Sequence, residues 1–311
     1  MINLTTTLSG EYNIVIKRGD GTTEETGWFH NLILNSGLDT MAAIDPNGYN
    51  ANLVSRCCVG TGTSTPTVTQ TALDAQIAQV DGGQNFAAYQ VLNAGAPTYT
   101  TTLYYGWGFG QGTVIGNIAE IGVGRPSGSL FSRALILDNS GNPTTITVTA
   151  IDQLTIYYRL NMSPPLADGT GTFTIGSTTY NFTTRVWNAT QVYASTYFLA
   201  NSNSFAAPAF TAVMGAPSTL VAIDSNQYPT GSYLSPLPPW QDQVRVTYIP
   251  GTYYQDWQLN ISAGYSNSAN GIGAMVIGAS NHTTQILFNP PIPKTNTSSF
   301  SLTTRFSWNR A

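Results

Sequence analysis

The sequence predicts an all-β protein, built as two tandem antiparallel domains of β-sandwich or jelly-roll type with only short helical turns. Hydrophobic residues make up 41% of the 311 residues, which is enough for a core, whereas charged residues make up only 8%. Thr, Ser, Asn and Gln supply the remaining polarity, together with 30 glycines and 17 prolines. Because Thr and aromatic residues suit pleated sheets and Gly, Pro and Asn suit turns, this composition favours many short strands.

Alternation of apolar and polar residues predicts where individual strands lie. Residues 12–17 form an alternating segment that returns, after a glycine-rich turn, at residues 24–29, as in a hairpin. The strongest strand pattern covers residues 144–160. Helical spacing of apolar residues predicts short helical segments at residues 38–44 and 71–78.

The order of motifs before Pro164 and Pro165 is repeated after them, which predicts a tandem duplication. The two predicted domains cover residues 1–162 and 163–311. In each half, a strand rich in Tyr and Trp precedes an apolar strand closed by glycine. These pairs of segments are 99–109 with 119–124 in the first half, and 253–265 with 274–278 in the second.

Charge and cysteine content exclude several classes of function. The net charge is −4, and 11 Lys and Arg residues cannot form the basic stripe that nucleic-acid binding requires. No apolar stretch has the length of a membrane span, and the first residues lack a signal-peptide pattern, so we expect cytoplasmic synthesis without membrane insertion. The adjacent Cys57 and Cys58 are expected to be reduced core residues. Few charges also mean little repulsion between copies, which favours a homo-oligomer.

Residues for catalysis or for metal and cofactor binding do not form a recognisable pattern. His30 and His282 are far apart, and no clustered ligands suggest a metal site. No pair of acidic residues matches a glycosidase pattern, so a depolymerase is the least favoured alternative. Glu120 lies in an apolar segment and is expected either to face away from the core or to pair with an arginine across the sheet. We therefore predict a protein that is not an enzyme and has no cofactor.

Aromatic residues supply the candidate interaction surface. They interleave with Gly in two regions of the chain, and they either stack on sugars or pack in the core or at a subunit interface. The candidate residues are Tyr104, Tyr105, Trp107, Phe109, Tyr233, Trp240, Tyr253, Tyr254 and Trp257.

Several motifs, mostly in the first half, give the chain a family resemblance. These segments are 31–39, 59–66, 71–73, 119–124, 130–134, 147–158, 157–165 and the closing 306–311. In them the chain resembles β-rich virion structural proteins of tailed bacteriophages, a family associated with tails, collars or fibres. The likeness spans roughly residues 28–185 and the extreme C-terminus, and residues 190–270 carry no motif of the family.

The resemblance implies a virion protein that is assembled in the host cytoplasm and acts in the tail. The expected function is non-enzymatic: a tail sheath, collar or fibre-attachment protein that works through repeated protein–protein interfaces. Expected partners are further copies of the chain, the tail tube, the portal or collar, and the fibres. The alternatives are a receptor-binding tail-fibre module that binds a host-surface glycan and serves host attachment, and a head decoration protein. The proline-rich residues 200–250 are the expected docking surface.

Overall fold

The computed structural model describes residues 1–42, 54–82, 84–92, 99–126, 128–187, 209–225, 227–234, 243–279 and 282–311. The described residues are mostly β-strand, and helix is confined to one short segment. The prediction of an all-β fold is therefore confirmed.

Most of the described residues lie in antiparallel strands. The strands are β1 (Ile2–Lys17), β2 (Thr23–Glu25), β3 (Phe29–His30), β4 (Leu32–Ile33), β5 (Arg56–Gly60), β6 (Gln76–Asp81), β7 (Gln84–Leu92), β8 (Tyr99–Phe109), β9 (Gly116–Ile118), β10 (Glu120–Gly124), β11 (Leu130–Leu135), β12 (Ile146–Val148), β13 (Gln153–Ser163), β14 (Gly169–Ile175), β15 (Thr178–Trp187), β16 (Ala209–Gly215), β17 (Ser232–Leu234), β18 (Gln243–Arg245), β19 (Tyr254–Ile261), β20 (Ser268–Ala279), β21 (His282–Lys294) and β22 (Phe300–Arg310). The short helix α1 (Asn35–Thr40) completes the described elements.

The helical predictions were only partly right. The helix begins three residues before the predicted segment 38–44, and residues 43 and 44 lie outside the described part of the chain. Residues 71–78 are not helical, because Gln76 already pairs with Gly60 in a β-ladder. Of the apolar residues in this segment only Leu73 is buried, so their spacing does not mark the apolar face of a helix.

The residues group into two compact units. The N-terminal unit comprises Thr7–Val91, Thr100–Met162 and Asn309–Ala311, and the C-terminal unit comprises Met1–Thr6, Leu92–Tyr99 and Ser163–Trp308. This grouping differs from the predicted domains 1–162 and 163–311 at both termini, because β1 and β22 each contribute residues to both units. The tandem-domain boundaries therefore stay a prediction.

Each unit contains two principal sheets. In the N-terminal unit the strand orders are β1-β13-β8-β7 and β4-β11-β10-β5-β6, and β9 pairs with β12 beside them. In the C-terminal unit they are β1-β22-β19-β18, in which β1 contributes its first residues, and β14-β15-β21-β20-β16-β17.

Apart from the added hairpin strand β14, the strand orders of the principal sheets correspond one to one along the chain; β2, β3, β9 and β12 of the N-terminal unit have no counterpart among the described strands of the C-terminal unit. In the second sheets, β4, β5, β6, β10 and β11 occupy the places that β15, β16, β17, β20 and β21 occupy in the C-terminal unit. The ladders of these sheets are antiparallel in both units. A duplication of one ancestral unit would produce such a repetition, and the tandem duplication stays a prediction.

Alternation along β13 explains how the N-terminal unit forms its core. Leu154, Ile156, Tyr158 and Leu160 are buried, whereas the residues between them are partly exposed. Because successive side chains of a strand point to opposite faces, one face of this sheet packs inward and the other faces outward. Inside the unit, the hydroxyl of Tyr12 hydrogen-bonds the hydroxyl of Ser132 on β11 at 2.8 Å, which links the two sheets.

Candidate functional site

The structure does not place the predicted aromatic residues on one surface. Tyr105, Trp107, Phe109 and Trp257 are buried in the core, Tyr104, Tyr253 and Tyr254 are partly buried, and Tyr233 is half exposed. Trp240 lies outside the described residues. Four of the nine are therefore core residues within this chain, and an interaction surface formed by the others stays a prediction.

The pleat of β8 accounts for this division. Tyr105, Trp107 and Phe109 alternate along the strand and point to the inner face, where the indole Nε1 of Trp107 donates to the backbone oxygen of Ser55 at 3.1 Å. Tyr104 has the opposite parity and points outward. Because successive side chains of a strand point to opposite faces, the sequence spacing alone places Tyr104 on the face opposite to the three core residues.

Tyr104 belongs to an aromatic cluster on the outer face of the N-terminal unit. Its ring stacks on Tyr157 of β13 with centroids 5.7 Å apart, and it packs against Trp28 with centroids 5.8 Å apart. The guanidinium carbon of Arg159 lies 3.4 Å from the centroid of the Trp28 ring. We call Trp28, Tyr104, Tyr157 and Arg159 the outer-face cluster; three of its four members were missed from the sequence.

The buried carboxylate of Glu120 is the centre of a second polar site. Glu120 is fully buried, and its Oε2 accepts hydrogen bonds from Nε and Nη2 of Arg133 at 3.0 and 2.7 Å. Its Oε1 accepts from the backbone N–H groups of Gly62 at 3.0 Å and Ala75 at 2.8 Å, and Oε2 accepts from that of Asp74 at 3.1 Å. Of the two predicted roles for Glu120, pairing with an arginine is confirmed.

Arg133 extends this network into the loop between β5 and β6. Its Nη1 donates to Oε1 of Gln70 at 2.6 Å, and its Nη2 donates to Oδ2 of Asp74 at 2.7 Å and to the backbone oxygen of Ser64 at 3.3 Å. Hydrogen bonding from the Ser64 hydroxyl, together with the nearby Arg133 guanidinium, lowers the pKa of Asp74 below its ordinary value. We call Glu120 and Arg133 the charged clamp, because together they attach residues 61–75 to the sheet.

Two glycines are required for the charged clamp to form. A Cβ atom on Gly62 would lie 2.5 Å from Oε1 of Glu120, and a Cβ atom on Gly60 would lie 2.5 Å from the backbone oxygen of Ala75. The Gly60-Thr-Gly62 segment therefore permits close approach of the loop to the buried carboxylate, as glycine permits elsewhere. The sequence signal for this arrangement is the pair Gly60 and Gly62 at the end of β5 together with an isolated acidic residue, Glu120, in the apolar strand β10.

The C-terminal unit has a neutral counterpart at the same place. Arg133 lies opposite Gly122 in the β10–β11 ladder, and Gln285 lies opposite Val276 in the corresponding β20–β21 ladder. Gln285 is fully buried; its Oε1 accepts from the backbone N–H of Val221 at 2.9 Å, and its Nε2 donates to the Val221 oxygen at 3.0 Å. This neutral clamp attaches residues 216–231, the loop between β16 and β17, to its sheet.

A further acidic residue, Asp152, stabilises a turn in the N-terminal unit. Its carboxylate accepts hydrogen bonds from the backbone N–H and hydroxyl of Thr149, both at 2.8 Å, and from Arg18 and Gly19 at 3.1 Å. The Thr149 N–H is the largest cause, and the hydrogen bonds together lower the pKa of Asp152 to about 2. The same arginine also pairs with Glu24, at 2.6 Å.

Burial controls the chemistry of the two cysteines. Cys57 and Cys58 are free and buried in β5, as predicted. Burial raises the pKa of Cys57 well above its ordinary value and that of Cys58 to about 11, so both remain thiols at neutral pH. In the described part of the chain, no group of three or more His, Cys, Asp or Glu side chains is arranged to bind a metal ion.

Among the helices of the described residues, none has the length and apolar character needed to span a membrane. Comparisons of the chain with protein-family models, with curated proteins and with solved structures found no match.

Proposed function

We propose that the chain is a non-enzymatic structural component of a tailed-bacteriophage particle. Its acidic and basic side chains stabilise the fold, and its outer strands and loops contact other virion proteins. We assign the chain to a tailed bacteriophage because its sequence motifs resemble those of tail, collar and fibre-associated proteins.

One observation carries the non-enzymatic part of this proposal. Among the described residues, six arginines pair with eight carboxylates, and most pairs join segments that are distant in sequence. The pairs are Arg18 with Glu24 and Asp152, Arg56 with Asp81, Arg133 with Asp74 and Glu120, Arg159 with Glu11, Arg185 with Asp168, and Arg305 with Asp256. The pairs whose atoms lie 3.3 Å apart or less therefore act as ties within the fold, whereas Arg159 and Glu11, 3.8 Å apart, form a looser pair.

The hydrogen bonds of the Glu120 carboxylate illustrate why a buried acidic side chain of this kind has a structural role. It accepts five hydrogen bonds, all from N–H donors of Arg133 and of the loop backbone. A general base needs an accessible oxygen within reach of a substrate proton, and Glu120 is fully buried. The most buried acidic residue of the described chain is thus suited to fixing a loop in position.

The edges of the sheets support a role in assembly. β6 and β18 lie at the ends of their strand orders, and Ile77 on β6 and Val244 on β18 are 44% and 52% exposed. Val246 and Ile249, which follow β18, are 47% and 63% exposed. Edge strands present unpaired backbone N–H and C=O groups, and exposed aliphatic side chains beside them favour pairing with another chain.

The specific component that we propose is a tail sheath, collar or fibre-attachment protein, assembled in the host cytoplasm. Its partners would be further copies of the chain, the tail tube, the portal or collar, and the fibres. Contacts of this kind bury apolar surface and form backbone hydrogen bonds, so they depend little on salt. The predicted docking segment 200–250 lies partly outside the described residues, and its role stays a prediction.

Native mass spectrometry of the purified chain, at several salt concentrations, tests the assembly role. We expect a single closed oligomer whose stoichiometry does not change with ionic strength. Val244→Lys combined with Val246→Lys on the edge beside β18 should weaken the oligomer, whereas Ile115→Lys, at an exposed position in the turn between β8 and β9, serves as the matched control. A monomer at all protein concentrations, together with absence of the chain from purified particles, would refute the proposal.

A receptor-binding fibre module and a head decoration protein remain the alternative functions. The first requires exposed aromatic residues, and four of the nine candidate residues are core residues instead. The second differs from the main proposal only in the position of the chain on the particle.

A further inference from the structure

The outer-face cluster combines aromatic rings with hydrogen-bonding groups that are held in fixed orientations. Trp28, Tyr104 and Tyr157 are each partly exposed; the Tyr104 ring stacks on Tyr157 of β13 at an interplanar angle of 22°, and Trp28, which precedes β3, is tilted by 58° against Tyr104. Arg159, which pairs with Tyr104 in the β8–β13 ladder, stacks on the Trp28 ring. The cluster therefore offers a contiguous aromatic platform with a cation at its side.

Arg159 is positioned by stacking and retains hydrogen-bonding capacity. Its side chain is 32% exposed, although its Nε, which makes no hydrogen bond within the described residues, is buried. The nearest carboxylate oxygen, Oε2 of Glu11, lies 3.8 Å away, beyond hydrogen-bond distance. A planar guanidinium presents five N–H donors in a rigid arrangement, so a ligand oxygen placed beside Trp28 would find a donor already oriented.

Asn161 and Glu11 complete the polar side of the platform. The amide nitrogen of Asn161 donates to Oε2 of Glu11 at 3.3 Å, and its amide oxygen accepts from the hydroxyl of Thr102 at 2.7 Å. These bonds fix both side chains on the outer face of β1 and β13. Glu11 is 21% exposed, so its carboxylate oxygens lie within reach of a ligand hydroxyl donor.

We propose that the outer-face cluster binds a neutral pyranose saccharide. The C–H face of a sugar ring is apolar and packs on the aromatic platform, while its hydroxyl groups require both donors and acceptors at the rim. Arg159 supplies donors, Glu11 supplies acceptors, and Asn161 supplies both. This site is separate from the edge strands and from the virion role proposed above.

Charge and shape favour a neutral saccharide over an acidic saccharide or a protein. Glu11 lies beside Arg159 and offsets its positive charge, so the cluster offers no excess of cation for an acidic sugar. None of the exposed large aliphatic side chains of the described residues, which a protein interface would bury, belongs to the outer-face cluster; they lie on β6, β14 and β18, in the segment after β18, at Met1, and in loops at Val68, Ile115 and Ile151. The cluster thus contains the rings and rim groups of a sugar site without an aliphatic interface core.

The C-terminal unit provides a matched control. There the guanidinium of Arg305 stacks on Tyr254 at 3.5 Å, but its Nε and Nη2 donate to Asp256 at 2.7 and 2.8 Å. Because the Nε and Nη2 donors of Arg305 are already hydrogen-bonded to Asp256, we expect no saccharide to bind beside Tyr254. Tyr254→Ala should therefore leave saccharide binding unchanged.

The test is a glycan array probed with the full-length chain, followed by calorimetric titration of the best ligand. The array contains neutral oligosaccharides of glucose, galactose, mannose and N-acetylhexosamines, with matched oligosaccharides that carry uronic or sialic acid. We expect a neutral ligand to bind, Trp28→Ala and Arg159→Lys each to weaken it at least about tenfold, and Tyr254→Ala to bind as wild type. Circular dichroism and thermal unfolding check that every variant is folded.

Four outcomes would overturn the proposal. The first is that no neutral saccharide on the array binds, and the second is that binding survives in folded Arg159→Lys and Trp28→Ala variants. The third is that Trp28→Ala changes the oligomeric state without any measurable saccharide binding, which would assign the cluster to a protein interface. Loss of saccharide binding in the Tyr254→Ala variant would place the site in the C-terminal unit instead.

Discussion

The two units attach corresponding loops to corresponding sheets by different chemistry. In the N-terminal unit, residues 61–75 are fixed by the buried ion pair of Glu120 and Arg133. In the C-terminal unit, residues 216–231 are fixed by the neutral amide of Gln285. At the place of Glu120 the C-terminal unit has Ala274, which lies opposite Leu287 as Glu120 lies opposite Leu135. In both units the loop is hydrogen-bonded to its sheet, but only in the N-terminal unit is the attaching side chain a buried charge.

The space under the loop also differs between the units. Val276 packs in the core of the C-terminal unit, and the corresponding position in the N-terminal unit is Gly122. A Cβ atom on Gly122 would lie 2.6 Å from Leu130 and 3.1 Å from Leu73, so Leu130 of β11 and the loop residue Leu73 together occupy the space beside this position, where the other unit has the side chain of Val276. The corresponding space in the core is therefore filled by side chains from different segments of the chain in the two units.

Removing the carboxylate of the charged clamp should give the largest effect on stability. Glu120→Ala leaves the fully buried Arg133 without its principal partner, and unpaired buried charges of this kind destabilise proteins by about 3–5 kcal/mol. Calorimetric unfolding measures the loss, and hydrogen exchange should show faster exchange of the Gly62 and Ala75 amides. Wild-type stability in the Glu120→Ala variant would contradict the importance of the ion pair.

Copying the neutral clamp into the N-terminal unit should recover part of that loss. The double variant Glu120→Ala/Arg133→Gln reproduces the Ala274 and Gln285 pair and removes the uncompensated charge. We expect it to be about 2 kcal/mol more stable than Glu120→Ala alone, because the two residues are directly coupled. A complete double-mutant cycle measures this coupling. Additive effects of the two substitutions would show that the two clamps are not equivalent.

Removing the neutral clamp should have a smaller effect. Gln285→Ala abolishes both hydrogen bonds to Val221 but leaves no buried charge, so we expect a loss of about 1–2 kcal/mol. Arg185 still donates to the Val221 oxygen at 3.2 Å and should preserve part of the attachment. Chemical denaturation of Gln285→Ala and Glu120→Ala in parallel checks the order. A greater loss for Gln285→Ala would reverse the comparison.

The smallest difference that we expect between the two units is in their stability at acid pH. The pKa of Asp152 is lowered from 3.8 to about 2, so its ionised form stabilises the fold above about pH 4, and this contribution is lost as the pH falls from about 4 to about 2. Asp152→Asn should lower the melting temperature above pH 4 and flatten its dependence on pH in that window. Asp168, the more exposed partner of Arg185, should show a weaker effect on Asp168→Asn substitution. Equal slopes for Asp152→Asn and wild type would refute the role of Asp152.

The sequence allowed the fold class and the strand pattern to be predicted, because period-two alternation is a local property. The core positions of β13 follow directly from it. The same rule separates Tyr104 from Tyr105, Trp107 and Phe109, yet the aromatic residues were assigned together because Gly–aromatic composition was considered without strand parity.

The loop clamps and the outer-face cluster depend on long-range pairing and could not be located from local patterns. Arg133 meets Gln70 and Asp74 only because β11 lies beside β10 and the loop folds over both. Likewise, Trp28 meets Arg159 through the placement of residues far apart along the chain. Glu120 was identified as unusual because an acidic residue in an apolar strand requires a partner, although its partner was not identified from the sequence.

Cryo-electron microscopy of the purified native particle tests whether the chain is a structural component of the tail. We predict density for many symmetrically arranged copies around the tail or neck, with contacts along the edge strands and both clamped loops in place. Absence of the chain from the particle, or its presence only as single copies at distal fibre tips, would contradict a structural role in the tail and favour receptor binding.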